Sequence, residues 1–162
     1  MSESLQSAFI RTRGGPVEVG DYVVTQGDYV PITRGVVYIT FVRGLTIHQG
    51  VALSVKGGWV QVSDGSKAKK LQVWRDPQFP DWVQHRVYCP KGELLIYNIY
   101  RRFDEAGRVF EEMWTRNAGM TILESEEGRR VYGCSDGEGP FDPEDLVVEV
   151  QWREDDGSEA GG

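Results

Sequence analysis

Tryptophan, glutamine and arginine recur on three neighbouring segments with the spacing of residues on one face of a β-sheet. The segments GWVQVSDG and KKLQVW each carry Trp and Gln two residues apart, and DWVQHRVYC adds an arginine. Successive side chains of a strand point to opposite faces, so these residues share one face and the valines share the other. The predicted Trp/Gln/Arg face consists of Trp59, Gln61, Gln72, Trp74, Trp82, Gln84 and Arg86.

This face has the chemistry of a carbohydrate site. Indole rings stack on the apolar C–H faces of sugars, while amide and guanidinium groups bind sugar hydroxyls. The same residue types are enriched in protein interfaces. Three interpretations therefore stay open: a ligand platform, a contact with a second copy of the chain, and burial by another part of the fold.

The first two segments predict a hairpin that joins the two Trp–Gln pairs. If the chain turns over residues 65 to 68, Val60 lies opposite Val73 on the core face, and Trp59 lies opposite Trp74 on the other face. The lysines of the GSKAKK stretch then form a solvated hairpin tip, with contact to an anion as the alternative.

A second hairpin is predicted between ELLIYNIYRRF and VFEEMWTRN, with its turn at residues 104 to 107. Its predicted register pairs Tyr97 with Trp114, Arg101 with Phe110, and Tyr100 with Glu111. If the strands closed a barrel, as in a small-ligand protein or an enzyme, a polar interior would hold a further set of residues. They are Tyr97, Tyr100, Arg101, Glu112 and Trp114.

The stretch CSDGEGPFDPEDLVVEV concentrates carboxylates before an apolar run, which raises the question of a calcium site. Calcium takes six to eight oxygen ligands, but the spacing does not match the EF-hand loop. The alternative is a turn in which Asp142 caps a short segment that begins with Pro143. The candidate calcium ligands are Asp136, Glu138, Asp142 and Asp145, and no other cofactor is predicted.

The ending EGPFDPEDLVVEV loosely resembles the last strand of two groups of proteins. One group is the cytosolic fruit-body lectins with an actinoporin-like sandwich, which implies recognition of sugars or membrane lipids. The other is bacterial surface sandwiches with an Asp-rich end, which implies calcium. The similarity covers thirteen residues, and Gly139 and Pro140 stand where the second group has D-x-D, so the chain is assigned to neither.

The sequence favours binding over catalysis. Neither His48 nor His85 stands in a zinc-ligand spacing. His85 and Cys89 share a strand face but lie roughly 13 Å apart, too far for a nucleophile and its base. Alternation sends Glu111 and Glu112 to opposite faces, so they are no catalytic pair.

Turn residues and two-residue alternation predict an all-β protein. Gly, Pro, Asn and Asp clusters separate short alternating segments, and no window of eleven or more residues shows helical periodicity. We predict a single-domain antiparallel β-sandwich of about ten short strands over residues 1–152, with a closed barrel as the alternative. Residues 153–162 are predicted to be a disordered acidic tail.

Composition limits the partners. A net charge of −7 disfavours nucleic acid. No stretch has the apolar length of a membrane span and no secretory leader is recognisable, so a cytoplasmic location is expected, with leaderless export as the alternative. Cys89 and Cys134 are expected to be buried thiols or one disulfide.

The predicted function is a non-enzymatic binding module that recognises a glycan or other surface ligand through the Trp/Gln/Arg face. The first alternative is a self-assembling structural or interaction protein that uses the same face between subunits. The second is the small-ligand barrel or enzyme.

Overall fold

The protein has an all-β fold in which every described strand pair is antiparallel. The computed structural model describes residues 4–44, 48–62, 64–75, 82–113, 116–137 and 139–155. Within these ranges lie one helix and fourteen strands: α1 Leu5–Arg11, β1 Val17–Val19, β2 Tyr22–Val24, β3 Asp28–Val30, β4 Arg34–Gly44, β5 Gln49–Ser54, β6 Trp59–Gln61, β7 Lys67–Ala68, β8 Lys70–Trp74, β9 Trp82–Tyr88, β10 Leu94–Phe103, β11 Val109–Glu112, β12 Asn117–Glu126, β13 Arg129–Gly137 and β14 Leu146–Glu154.

Two large sheets form the layers of a sandwich. One sheet has seven strands in the order β12-β13-β14-β4-β9-β6-β7; the other has five, with the order β11-β10-β5-β8 and with β3 also paired to β10. Strands β1 and β2 form a separate ribbon, which a bridge between Thr25 and Met120 joins to the seven-stranded sheet. The described strands close no barrel. The predicted sandwich is therefore confirmed, and the barrel alternative is wrong.

Alternating side chains build the core between the sheets. In β14, Leu146, Val148 and Val150 are almost fully buried, whereas Gln151 and Arg153 are exposed. Full burial of each such aliphatic side chain contributes about 1.5–3 kcal/mol. Because the space between the layers is filled mainly by aliphatic and aromatic side chains, candidate sites lie on the outer faces and at the ends of the sandwich.

Three hydrogen bonds tie the layers together. The side-chain amide of Asn98, on β10, donates to the buried carbonyl of Ser135 on β13 at 2.8 Å. At an open side of the sandwich, Asp28 on β3 accepts from the Tyr132 hydroxyl at 2.5 Å and from Arg130 at 2.6 Å. A buried polar group without a hydrogen-bond partner costs about 1–3 kcal/mol, and these contacts avoid that cost.

The predicted hairpin between the two Trp–Gln segments is wrong. β6 pairs with the short β7, which places Val60 opposite Ala68, and β8 pairs with β5 in the other sheet, which places Trp74 opposite Gly50. The chain crosses from one layer to the other between β7 and β8. Because alternation survives this crossing, Val60 and Val73 both still face the core, but from opposite layers.

The second predicted hairpin forms with its register shifted by one residue. Arg101 pairs with Glu111, whereas the sequence predicts Phe110 as its partner. The turn contains five residues between the paired strand ends. Asp104 stabilises this longer turn through two contacts with Arg108. Its carboxylate accepts a hydrogen bond from the Arg108 backbone N–H at 2.8 Å and forms an ion pair with the Arg108 guanidinium at 2.6 Å.

The sequence does not predict the helix at the amino terminus. Ser4 caps α1 by accepting from the Ser7 N–H at 3.2 Å, and Leu5 and Phe9 pack on Val24. At seven residues the helix is too short to be recognised by periodicity. No helix of the described residues has the length and apolar character needed to cross a membrane.

Strand β14 extends beyond residue 152, the predicted end of the domain. Arg153 and Glu154 pair with β4. Gly35 permits this pairing, because a Cβ at that position would lie 2.0 Å from the carbonyl oxygen of Arg153. The remainder of the predicted tail, residues 156–162, lies outside the described residues.

Candidate functional site

The seven residues of the predicted Trp/Gln/Arg face do not share one surface. The crossing between β7 and β8 carries the second Trp–Gln pair into the opposite layer. The seven-stranded sheet holds five of the residues and the five-stranded sheet holds two, both on outer faces. The five are Trp59, Gln61, Trp82, Gln84 and Arg86; the two are Gln72 and Trp74.

A cleft of about 570 Å³ opens on the seven-stranded sheet, and three of these five residues, Gln61, Gln84 and Arg86, line it. Two rows of paired residues cross the sheet here, Gln151–Tyr38–Gln84 and Arg153–Val36–Arg86. We call this cavity the polar cleft. Its described lining consists of Val36, Tyr38, Gln61, Val62, Val83, Gln84, His85, Arg86 and Arg153.

The polar cleft exists because β6 separates from β9. The two strands pair only where Trp59 meets Tyr88 and Val60 meets Val87. Beyond that point the Gln61 carbonyl lies 2.9 Å from Nδ1 of His85 instead of joining the ladder. Since a carbonyl only accepts, Nδ1 donates, and Nε2 of the neutral ring is an acceptor.

The separation also leaves an edge of β9 without a partner strand in the described part of the chain. Cys89 donates its backbone N–H to Thr33, on the β4 side. Backbone groups of an antiparallel strand alternate between its two neighbours. The N–H and C=O groups of Gln84 and Arg86 therefore point away from β4, toward the side that β6 has left.

Three polar side chains of the cleft are open to a ligand. The Tyr38 hydroxyl, the Gln84 amide and the Arg153 guanidinium have no hydrogen bond or ion pair among the described residues. Arg86 is engaged, because its guanidinium binds both carboxylate oxygens of Asp155 at 3.1 Å. The amide of Gln61 donates to a turn carbonyl at 3.2 Å. The cleft thus combines open hydrogen-bonding groups with others that are held in place.

The two tryptophans of this sheet differ in accessibility. Trp82 is 55% exposed and lies on the same face as Gln84, two residues and about 7 Å along the strand. Trp59 is half-buried, with the Lys67 ammonium 4.3 Å from its ring centroid and the Tyr88 ring at 6.1 Å. Trp82 is therefore the indole that stands open near the cleft.

The described lining of the cleft contains no carboxylate, serine, threonine or cysteine. His85 supplies an imidazole to the described lining, and Tyr38 supplies a hydroxyl. General acid–base or nucleophilic catalysis needs a reactive group within hydrogen-bond reach of a base. The polar groups of the described lining can donate and accept hydrogen bonds.

The two residues on the opposite sheet have a different environment. The Arg101 guanidinium lies over the Trp74 ring at 3.9 Å, and the Lys70 ammonium lies 5.6 Å from the Tyr97 ring. Cation–π contacts of this kind contribute about 0.5–1 kcal/mol at exposed sites. Gln72 lies between these pairs on β8, away from the polar cleft.

The residues proposed for a polar interior are only partly brought together. Tyr100 pairs with Glu112, where the sequence predicts Glu111, and its hydroxyl donates to the Glu112 carboxylate at 3.0 Å. Tyr97 and Arg101 face the opposite side of β10, as alternation requires. Trp114 lies outside the described residues.

Both cysteines are free and buried. Burial raises the pKa of Cys89 to about 11, with a further contribution from the charge of Glu154, and raises the pKa of Cys134 to about 12. Because the reactive species is the thiolate, these raised pKa values disfavour reaction of the two thiols in the folded protein.

The acidic loop forms the predicted turn. Asp142 accepts a hydrogen bond from the Glu144 N–H at 2.9 Å, and Asp145 accepts one from the Asp136 N–H at 3.2 Å. Burial, followed by the charges of Asp136 and Asp142, raises the pKa of Asp145 to about 6. Within the described ranges no group of three or more His, Cys, Asp or Glu residues is arranged to hold a metal ion. Glu138 lies outside them, and the calcium site stays a prediction.

Sequence reasoning missed two open groups of the cleft. Arg153 is assigned from the sequence to the tail, and Tyr38 is not assigned to a site. Both continue the outward alternation of their strands, so knowledge of the order β14-β4-β9 would have placed them beside Gln84.

No protein-family model, curated protein or solved structure matches this chain.

Proposed function

We propose that the protein is a non-enzymatic binding module that holds a hydroxyl-rich ligand, such as a carbohydrate, in the polar cleft. The observation that carries this proposal is the placement of three open polar groups in one concavity with an exposed indole beside it. The groups are the side chains of Tyr38, Gln84 and Arg153, and the indole is that of Trp82.

The cleft offers the complementary parts that a sugar needs. A hydroxyl both donates and accepts, and the Gln84 amide does the same. Tyr38 adds a second donor and acceptor, and Arg153 adds donors alone. Trp82 provides an apolar surface for C–H groups at one end of the site. Val36 and Val83 add apolar surface to the wall of the cleft.

The proposal is tested by isothermal titration calorimetry against a panel of neutral and acidic oligosaccharides. Calorimetry is preferred to fluorescence because the readout must survive the loss of Trp82. Gln84→Ala removes an open hydrogen-bonding group, so we expect the Kd to rise about fivefold to tenfold. Trp82→Ala is expected to weaken binding by a similar factor.

Gln72→Ala is the matched control. It makes the same chemical change in a residue of the same predicted face, but on the opposite sheet, and is expected to leave the Kd unchanged. Equal Kd values for Gln84→Ala, Trp82→Ala and wild type would show that the ligand does not use the cleft. Absence of heat with every oligosaccharide would refute carbohydrate recognition.

Self-association through the same face is the alternative. The exposure of Trp82 supports it, because tryptophan is enriched at the centres of interfaces. Light scattering over a range of protein concentrations separates the two functions. A species that stays monomeric removes the alternative, whereas a dimer that Trp82→Ala dissociates would favour it over a ligand site.

A further inference from the structure

A second cavity, of about 640 Å³, lies on the opposite layer from the polar cleft. It sits at the end of the five-stranded sheet, where β5 leaves the sheet and β10 enters it. We call it the lysine pocket. Its described lining consists of Tyr29, Ser54, Val55, Lys56, Gly57, Lys69, Lys91, Glu93 and Leu95.

The lysine pocket concentrates positive charge in an acidic protein. The chain has a net charge of −7 and five lysines, and three of them line this one pocket. Lys56, Lys69 and Lys91 form no ion pair with any described carboxylate. Glu93 is the one carboxylate of the described lining, so the pocket carries a net positive charge. One carboxylate does not balance three ammonium groups that line the same pocket, so an anion bound there would offset the remaining positive charge.

The floor of the lysine pocket is partly apolar. Leu95 pairs with Tyr29 on one side and with Ser54 on the other, so the three side chains form a row across β3, β10 and β5. Tyr29 is 55% exposed, and Leu95 is half-buried. This row provides an exposed phenol ring and an aliphatic surface in the same pocket as the three lysines.

We propose that the lysine pocket binds an anionic ligand whose phosphate or sulfate group is joined to an apolar part. The ammonium groups of Lys56, Lys69 and Lys91 contact the anionic oxygens, since charge-assisted hydrogen bonds to such oxygens are the stronger class. The apolar part packs on Tyr29 and Leu95. Soluble aryl phosphates and the headgroups of anionic lipids both present phosphate oxygens, and the experiment separates these two sources.

The experiment uses the full chain, labelled with ¹⁵N, and three probes. Phenyl phosphate carries the anion and the ring, benzyl alcohol carries the ring without the anion, and vesicles contain phosphatidylcholine with phosphatidic acid. Amide shifts are expected with phenyl phosphate at residues 54–57 and 91–95. Benzyl alcohol is expected to cause none. Binding to the vesicles with none to phenyl phosphate would identify a lipid headgroup as the source of the phosphate.

Lys56→Gln combined with Lys91→Gln is the test variant. Each substitution removes one charge-assisted contact, so we expect the Kd for the anionic probe to rise roughly tenfold or more. Lys67→Gln is the matched control, because Lys67 lies over Trp59 on the other sheet, and its Kd is expected to equal that of wild type. Binding to wild type should also weaken as salt is added.

Two results would overturn the proposal: no binding of either anionic probe, or equal Kd values for wild type and the double variant. Preserved amide spectra away from the pocket show that the double variant is folded, so loss of binding cannot be attributed to unfolding. The lysine pocket and the polar cleft lie on different sheets, so failure of carbohydrate binding does not decide this test.

Discussion

The side chain of Asp145 offers a test of the electrostatics of the acidic loop. It is half-buried beside Asp136 and Asp142. Burial is the first cause of its raised pKa of about 6, and the two neighbouring charges add to it. We predict that Asp145→Asn, which keeps the shape and an oxygen acceptor for the Asp136 N–H, stabilises the protein at neutral pH.

The size of the effect follows from the two pKa values. A pKa of about 6 in the folded protein against 3.8 in the unfolded chain corresponds to at most about 3 kcal/mol of unfavourable ionisation. Solvent screens a side chain that is partly exposed, so we expect about 1 kcal/mol. For a domain of this length that gain raises the Tm by roughly 2–4 °C.

The sign of the pH dependence follows from the same values. The folded state holds the proton of Asp145 more tightly than the unfolded state. The protonated side chain therefore makes its full contribution to the free energy of unfolding below about pH 4, and this contribution is lost as the pH rises through about 6. Wild type and Asp145→Asn should therefore be equally stable at about pH 3.5. Above pH 6 the variant should be the more stable.

Urea unfolding followed by tryptophan fluorescence, at a series of pH values, measures the difference. The control is Glu144→Gln, which removes a neighbouring charge whose ion pair with Arg43, at 3.3 Å, is exposed on both sides. It is expected to change the free energy of unfolding by less than about 0.5 kcal/mol at any pH. If Asp145→Asn is less stable than wild type at pH 7, the carboxylate is worth more as an acceptor for Asp136 than it costs as a buried charge, and the reasoning is refuted.

Two further predictions concern buried thiols and calcium. Cys89 and Cys134 should react with a thiol reagent at pH 8 at least about 100-fold more slowly in the folded protein than in urea. The reason is that their pKa values of about 11 and 12 leave little thiolate at that pH. Rapid labelling without denaturant would contradict their burial. If calcium occupies the acidic loop, it should raise the Tm of wild type but not that of Asp142→Asn combined with Asp145→Asn. Identical calcium responses in the two proteins would count against the site.

Alternation allowed the sequence to predict which face of each strand is buried. Val83 and Val87 face inward on β9 while Gln84 and Arg86 face outward, because successive side chains of any strand point to opposite sides. This is a local property that does not depend on the partner strand.

Strand partners were less predictable, and the candidate site depends on them. Trp59 and Trp74 appear in the sequence as neighbours across a hairpin, but their strands pair with β9 and β5 in different layers. The competing pairings satisfy the same alternation, so the pattern of a single segment does not distinguish them. Gln72 and Trp74 were lost from the expected surface for this reason, while Tyr38 and Arg153 were gained.

The sequence by itself determined the all-β class, the inward and outward faces of the strands, the acidic character and the turn at Asp142. Each of these follows from neighbouring residues along the chain. Only the tertiary structure decided the crossing between the layers, the separation of β6 from β9 that opens the polar cleft, and the gathering of Lys56, Lys69 and Lys91 in one pocket. These features arise from contacts between distant segments, whose free energy depends on which strands pack together and not on the pattern of any one of them.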